Sequence, residues 1–390
     1  MTPLPPDLAR PDYGTATLAD VLPGVAAALG VPVRRGDLPA DPLGLTAALA
    51  GARRVAVLLV DGLGADLIRR HADLAPVLAA LATPAGDLTA PCPSTTPVSL
   101  TTLGTGLPPG GHGVLGFVTD VPGEDRALDH TKWRDDPDPD TWAPQLTVFA
   151  QAAAAGVPAT VVAPYAYTGS GLSRAAYRGA TYTGTVGAGD LAALVLRALH
   201  ATPRALVYGY FPDLDLTGHV RGVDSGSWRA QLQLVDRMVE QVVAGLPGDA
   251  ALLVTADHGM LDVPAGTRFD LDAAPELDDG VRLLAGEPRA RYVHAVPGAA
   301  ADVLDRWRAV LGERAWVVSR DEAVASGVFG AVDPGVAARI GDVVALARGT
   351  WALTTPEREP GPSRLAAYHG SLTATELAIP LLVAPGGSLG

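Results

Sequence analysis

The sequence has almost no cysteine: Cys92 is the single one in 390 residues. No disulfide can form within the chain, so nothing in the fold calls for an oxidising compartment. Long apolar runs are missing as well. No stretch reaches the roughly 20 residues of a membrane-spanning helix. The opening segment, MTPLPPDLARPDYG, lacks the basic start and apolar core of a secretory leader, which makes a cytoplasmic location the expectation. Positive charge is scarce. Lys and Arg together number 29 against 42 Asp and Glu, Lys132 is the only lysine, and the formal net charge is −13. Such a surface repels polyanions, which argues against long nucleic acids and anionic membranes as partners. A small phosphorylated substrate remains compatible, because bound cations reverse the field locally.

What the chain does have is apolar residues, 48% of the total, in short β-branched runs. The runs are 53–60, 158–164, 204–211, 250–256, 342–347 and 379–384. Continuous apolar runs of this length fit strands buried on both faces, as in parallel sheets. Helical patterns at 189–200 and 226–245 separate some of them. Strands alternating with helices predict an α/β fold, a three-layer α/β/α sandwich with a mostly parallel central sheet. Residues 1–52, Pro- and Ala-rich, are expected as an extension packing on this core, with short helices over 16–30 and 43–51. Residues 53–390 form the expected catalytic domain. Within it, 120–142 reads as a surface excursion, and about 280–340 as a small inserted α+β subdomain with a helix over 299–311 and a strand over 314–319.

The polar chemistry follows the apolar runs. Run 53–60 ends in Asp61-Gly62, run 204–211 leads into Asp213, Asp215 and His219, and run 250–256 ends in Asp257-His258-Gly259. His369-Gly370 precedes the final run. Ligands of open α/β sheets bind beyond the carboxyl ends of the strands, so these clusters are expected along one sheet edge. Each alone is an ordinary turn. Together they supply oxygen and imidazole ligands without thiolate, a set that suits Zn²⁺, Mn²⁺ or Fe rather than Ca²⁺. Asp215 and His219, four apart, share one side of a helical turn. Gly259 is expected to ease a turn that points both Asp257 and His258 inward. Asp213 reads as a solvated loop carboxylate. His71, His112, His130, His200 and His294 have no partner motif and read as surface residues or as support behind the site.

A nucleophile is offered by PCPSTTPVSLTTLGTG, residues 91–106. Thr96 before Pro97 is the expected N-cap of a helix, whose free N–H groups suit a phosphoryl oxygen. Ser94, Thr95 and Ser99 are competing hydroxyls. Tyr165, Tyr167 and Tyr210 are candidates to stack on a base.

Taken in order, Asp61-Gly62, Pro93-Ser94-Thr95-Thr96 through Thr105-Gly106-Leu107 to His112-Gly113, Asp215-x-x-Gly218-His219, Asp257-His258-Gly259 and His369-Gly370 resemble the motif series of the alkaline phosphatase superfamily. The spacing from Pro93 to His112 is most similar to the nucleotide pyrophosphatase/phosphodiesterase-like family. The resemblance covers roughly residues 53–385. It implies two divalent metal ions, Zn²⁺ before Mn²⁺ or Fe, one held by Asp215, His219 and His369 and the other by Asp61, Thr96, Asp257 and His258. It implies Thr96 as the nucleophile, a phospho-threonine intermediate, and cleavage of phosphodiester or phosphoanhydride bonds in a small, nucleotide-like substrate. One position departs from the pattern. Where the family has an Asn that helps hold a phosphoryl oxygen, His112-Gly113-Val114-Leu115-Gly116 is followed by Phe117. Cys92-Pro93-Ser94 lacks the Cys-x-Pro-Ser-Arg order of sulfatases, so Cys92 is expected as a small buried residue. Three aspartates against two divalent ions favour a singly charged diester. Arg174, Arg289 and Arg291 are the cations that, folded inward, would favour a monoester instead. The alternatives are a phosphomonoesterase or phosphonate hydrolase of the same superfamily, a metal-dependent phosphoglycerate mutase, and, from another class, a non-catalytic metal-stabilised binding protein.

Overall fold

The computed structural model describes residues 3–386. Five strands run parallel or nearly so in sequence: β1 (Arg54–Val60), β2 (Ala159–Pro164), β3 (Thr181–Thr185), β4 (Ala205–Phe211) and β5 (Ala250–Thr255). Four further strands, β6 (Val281–Glu287), β7 (Ala290–Ala295), β8 (Ala315–Ser319) and β9 (Val343–Ala347), belong to a second sheet. The last, β10 (Leu381–Pro385), returns to the first. The central sheet has the order β10–β5–β1–β4–β2–β3. All its pairs are parallel except β10 on β5.

β1 lies near the middle of this sheet, and from Val55 onward every residue is buried. Each fully buried Val or Leu contributes roughly 1.5–3 kcal/mol of hydrophobic stabilisation, which is why the central strands are apolar on both faces. The helices that matter for the site are α1 (Thr96–Thr105), α2 (Ala188–Ala201), α3 (Asp213–Arg221), α4 (Gly226–Ala244) and α5 (Ala300–Leu311). Trp228, Leu232, Val235, Val239 and Val242 make the buried stripe of α4 at helical spacing, and the Ser225 hydroxyl caps it by accepting from the Trp228 amide at 3.2 Å. α4 packs against α2 and α3, and α2 packs on β4, so the sheet positions α3 through two layers of side chains. Leu18, Val21, Leu22 and Val25 of the N-terminal segment are part of the main core, and its first turn, Leu18–Asp20, packs on α1.

Two readings of the sequence need correction here. Run 342–347 is a strand, but β9 pairs antiparallel with β7 and β8 and not in the central sheet. β3 went unread, because TYTGT is half-exposed at a sheet edge and carries no apolar run. The second sheet has the order β6–β7–β9–β8 and a small core of its own, in which Val293, Val317 and Val343 meet Val303, Trp307 and Leu311 of α5. The segment 120–142 is less superficial than expected, since it buries Trp133 and Trp142. Cys92 is fully buried, in line with its reading as a small core residue. Among the described residues no helix is long and apolar enough to cross a membrane.

Candidate active site

Three strand ends of the parallel sheet deliver carboxylates or imidazole to one place. Asp61 follows β1, and Asp257 and His258 follow β5. The Asp257 carboxylate accepts from the Gly62 and His258 amides, each at 3.0 Å, which ties the two strand ends together. Gly259 has a role other than the expected turn freedom. A Cβ there would lie 2.0 Å from the Thr375 carbonyl oxygen, so only glycine permits this close approach. Asp215 and His219 sit one turn apart on α3, which follows β4, with Asp215 Oδ2 and His219 Nε2 3.3 Å apart. His369 arrives from the stretch before β10.

Thr96 is the first helical residue of α1. The N-cap is Thr95, not Thr96: its backbone is extended, and its hydroxyl turns toward Glu287 at 3.3 Å instead of capping the helix. Thr96 Oγ1 lies 3.4 Å from Asp61 Oδ2 and 3.3 Å from His258 Nε2. His258 and His369 stack face to face with ring centroids 3.5 Å apart. The seven side chains singled out from the sequence therefore form one connected cluster, with Asp61 and His258 next to the Thr96 hydroxyl and Asp257, His369, His219 and Asp215 linked through them.

The hydrogen bonds orient the ligands. In each of the three imidazoles Nδ1 faces a backbone carbonyl: Ala367 at 2.8 Å for His219, Gly259 at 3.0 Å for His258 and Ser94 at 2.8 Å for His369. An Nδ1–H that donates to a carbonyl leaves Nε2 with its lone pair directed inward, the usual arrangement behind a metal-binding histidine. His219 Nε2 and His369 Nε2 are only 3.1 Å apart. Two lone pairs at that distance need a shared proton or a shared cation. Three buried carboxylate oxygens, Asp61 Oδ1, Asp215 Oδ1 and Asp257 Oδ2, have no hydrogen-bond partner among the described residues. Buried charges without partners are costly, and cations would satisfy all three. Two groupings have ligand atoms within 4.8 Å of one another: Asp61, Asp257 and His258, and Asp215, His258 and His369. The residues thus fit divalent metal.

Without cations the protonation pattern is strained. Burial, reinforced by the Asp257 and Asp215 charges, pushes the Asp61 carboxyl well above the usual range. Burial would lower His219, but Asp215 prevails and raises it to about 9. Burial and the neighbouring His258 hold His369 well below its ordinary value. A cluster with three carboxylates and three imidazoles in one buried volume settles these conflicts when positive charge enters.

Other residues fall differently from expectation. Tyr210, expected as a stacking surface, is buried and donates its hydroxyl to Asp61 Oδ2. Tyr165 is exposed, whereas Tyr167 lines the cavity above Thr96. Asp213 opens α3 at the cavity mouth and is not on a loop. His71, His112, His130 and His294 are buried and only His200 is exposed. His112 Nε2 meets Thr102 of α1 at 2.9 Å, and His130 meets the Phe117 carbonyl. Arg174 is tied outward to Asp135, Asp138 and Asp140, Arg289 pairs with Glu376, and Arg291 with Glu359, so none of them lines the cavity. Glu287 was missed altogether. It is nearly fully buried at the end of β6, with burial raising its carboxyl to about 8, and a lone Glu in a Gly-Glu-Pro turn gave no signal.

The fold is an α/β sandwich around a mostly parallel sheet, and the family that the chain matches is one of phosphoester hydrolases. Residues 55–372 match the family model of type I phosphodiesterase / nucleotide pyrophosphatase, and the chain belongs to that family. No curated protein sequence matches it. Solved structures share the fold. Murine ectonucleotide pyrophosphatase/phosphodiesterase 5 superposes with a TM-score of 0.69 at 19% identity, covering 84% of this chain and 87% of that one. An inactive threonine-to-alanine variant of the murine protein in complex with AMP gives 0.66 at 18% identity, covering 85% and 87%. Phosphonoacetate hydrolase from Sinorhizobium meliloti 1021, in complex with phosphonoformate, gives 0.67 at 18% identity, covering 87% and 92%.

Proposed function

We propose that the protein is a two-metal hydrolase that cleaves phosphodiester or phosphoanhydride bonds of a small, nucleotide-like substrate, with Thr96 as nucleophile. Asp215, His219 and His369 would hold one divalent ion, and Asp61, Asp257 and His258, with Thr96, the other. Zn²⁺ suits this nitrogen and oxygen set best, with Mn²⁺ or Fe next. When bound, such ions lower the pKa of a hydroxyl and offset the charge of phosphoryl oxygens. The observation that carries the reading is the Thr96 hydroxyl, placed at a helix N-terminus within 3.3–3.4 Å of His258 and Asp61.

Thr96 gives up its hydroxyl proton to solvent and its Oγ1 forms a bond to phosphorus. The bond from phosphorus to the leaving oxygen breaks, and that oxygen is released protonated. Water then attacks phosphorus from the side the leaving oxygen vacated, opposite Thr96 Oγ1, and gives up a proton. The bond to Thr96 Oγ1 breaks, and Thr96 recovers a proton as the phosphate ester is released. Helix α1 offers its free N-terminal amides to the phosphoryl oxygens throughout. Tyr210 keeps Asp61 oriented by its hydrogen bond.

The AMP held by the murine neighbour agrees with a small phosphorylated substrate. Phosphonoacetate hydrolase keeps phosphonate cleavage as the competing chemistry on the same fold. The test combines metal analysis of protein purified without chelator with turnover of para-nitrophenyl mono- and diesters. The expected result is bound divalent metal and diester turnover that Thr96→Ala abolishes. Diester turnover that survives Thr96→Ala removes Thr96 from the mechanism, and faster monoester turnover overturns the diesterase reading.

A further inference from the structure

The cavity above Thr96 encloses about 400 Å³. Its walls are mainly aromatic and aliphatic, with Phe117, Tyr167, Tyr177, Tyr182, Leu172 and Leu216. The hydroxyls of Thr131, Ser170, Ser173 and Tyr182 there are already engaged with protein partners. Among the described residues no Arg, Lys, Asn or Gln lines it. Lys132, Arg174, Arg178 and Arg364 each stand beside a lining residue in sequence without lining the cavity. Lys132 is 84% exposed and paired with Asp129 at 2.9 Å, and Arg174 and Arg178 pair with Asp140. The chain contains no asparagine at all, so no such amide elsewhere in the fold stands in for the one that Phe117 replaces. At the mouth the only charged side chain beyond the seven gathered residues is the carboxylate of Asp213.

Phe117 is held from behind. Its carbonyl accepts from the His130 amide at 3.0 Å and faces His130 Nδ1 at 3.2 Å. His130 Nε2 in turn accepts from Trp142 Nε1–H at 3.2 Å, and the imidazole edge meets Trp133 with centroids 5.5 Å apart. An imidazole that accepts at Nε2 donates at Nδ1, so one tautomer is fixed, and with it the backbone of Phe117. On the other side Tyr292 donates its hydroxyl to the Leu115 carbonyl at 2.6 Å. The phenyl wall is a built surface with bonded supports on both flanks.

We infer that the substrate arm seated in this cavity is apolar and uncharged, and that Phe117 is a specificity-determining residue that narrows the site from phosphoanhydrides to monoanionic phosphodiesters carrying such an arm. The inference rests on the phosphodiesterase reading above. A phosphoryl group with a second negative charge, or a trailing chain of phosphates, finds no cationic partner among the lining residues, and Phe117 donates nothing. Polar groups desolvated without a partner are penalised, while an aryl or alkyl arm gains by covering the same ring.

Calorimetric binding of diphenyl phosphate and phenyl phosphate tests this, in a Thr96→Ala background that cannot turn over. Diphenyl phosphate is expected to bind at least tenfold more tightly. Phe117→Asn should shrink that ratio, on the order of tenfold to a hundredfold, by restoring a donor to the second charge. Phe117→Leu, apolar and without a donor, should keep the ratio within about threefold. An unchanged ratio in Phe117→Asn overturns the inference, as does a Phe117→Leu shift equal to that of the Asn variant. If the native enzyme fails to hydrolyse bis(para-nitrophenyl) phosphate, the phosphodiesterase reading falls and this inference falls with it. Turnover of that ester with an unchanged binding ratio sinks the inference alone.

Discussion

The two sides of the cavity are built by different rules. The floor consists of Asp61, Asp215, Asp257 and three imidazoles, fixed at strand ends and on α3 by backbone hydrogen bonds. The opposing wall consists of Phe117 and Tyr167 from connecting segments, Tyr182 from the edge strand β3 and Leu216 from the outward side of α3. The floor concentrates charge that the protein alone does not neutralise, and the wall contains almost none. The contrast separates the chemistry from the choice of substrate. Changes in the floor should act on turnover and metal content, and changes in the wall on KM and on ratios between substrates.

The largest effect should come from emptying the floor. Dialysis against chelator is expected to lower diester turnover by at least about 10³-fold, with recovery on adding Zn²⁺ or Mn²⁺. Full activity in metal-free protein would erase the distinction between the two sides. Thr96→Ala should cost about 10³-fold or more in kcat while metal content measured by mass spectrometry stays largely in place. Tyr210→Phe removes the donor to Asp61 and is expected to lower kcat or metal affinity by about 10- to 100-fold, as loss of an orienting bond does elsewhere.

The support behind the wall should show itself in stability. His130 is buried, and burial holds its pKa down to about 4. An unfolded chain takes up the proton near 6.5, so the stabilisation from neutral His130 is present above that pH and is lost as pH falls toward 4. The loss amounts to something on the order of 3 kcal/mol. His130→Gln should be less stable than the native protein at pH 7 but should lose less on acidification, read from denaturant midpoints at pH 7 and pH 5. An equal loss in both would take His130 out of the pH response. The smallest effect is expected at the rim. Leu216 is 59% exposed, and Leu216→Ser should raise KM for an aryl diester by about threefold or less with kcat unchanged.

The floor was legible because its residues follow apolar runs that only a parallel sheet explains. Asp61, Asp257 and His258 end such runs, and Asp215 and His219 stand at helical spacing after a third. Order along the chain sufficed, since strand ends of a parallel sheet lie on one edge. The cap of α1 was misplaced by one residue. Pro97 sits at the second helical position, not the first, and Thr95 spends its hydroxyl on Glu287. The wall was not legible. Tyr177 and Tyr182 reach the cavity from α-helical and edge-strand positions with no shared motif, and Glu287 arrives from the second sheet. His130 resembled a stray surface residue until the fold placed it between Phe117 and Trp142. Such contacts depend on how segments 12 to 192 residues apart happen to pack, and local pattern does not encode that.

The pairing of β1 with β5 sets Leu59 opposite Thr255, which carries Asp61 and Asp257 out of the sheet as the next same-side pair. The gap between their backbones is therefore inherited from the spacing of hydrogen-bonded strands, about 4.8 Å. Slippage of that ladder by one residue would turn one aspartate to the opposite face. The sheet thus acts as a ruler for the charges at its edge, and a chain that has zipped these two strands in the correct alignment has already measured out one side of its cation cradle.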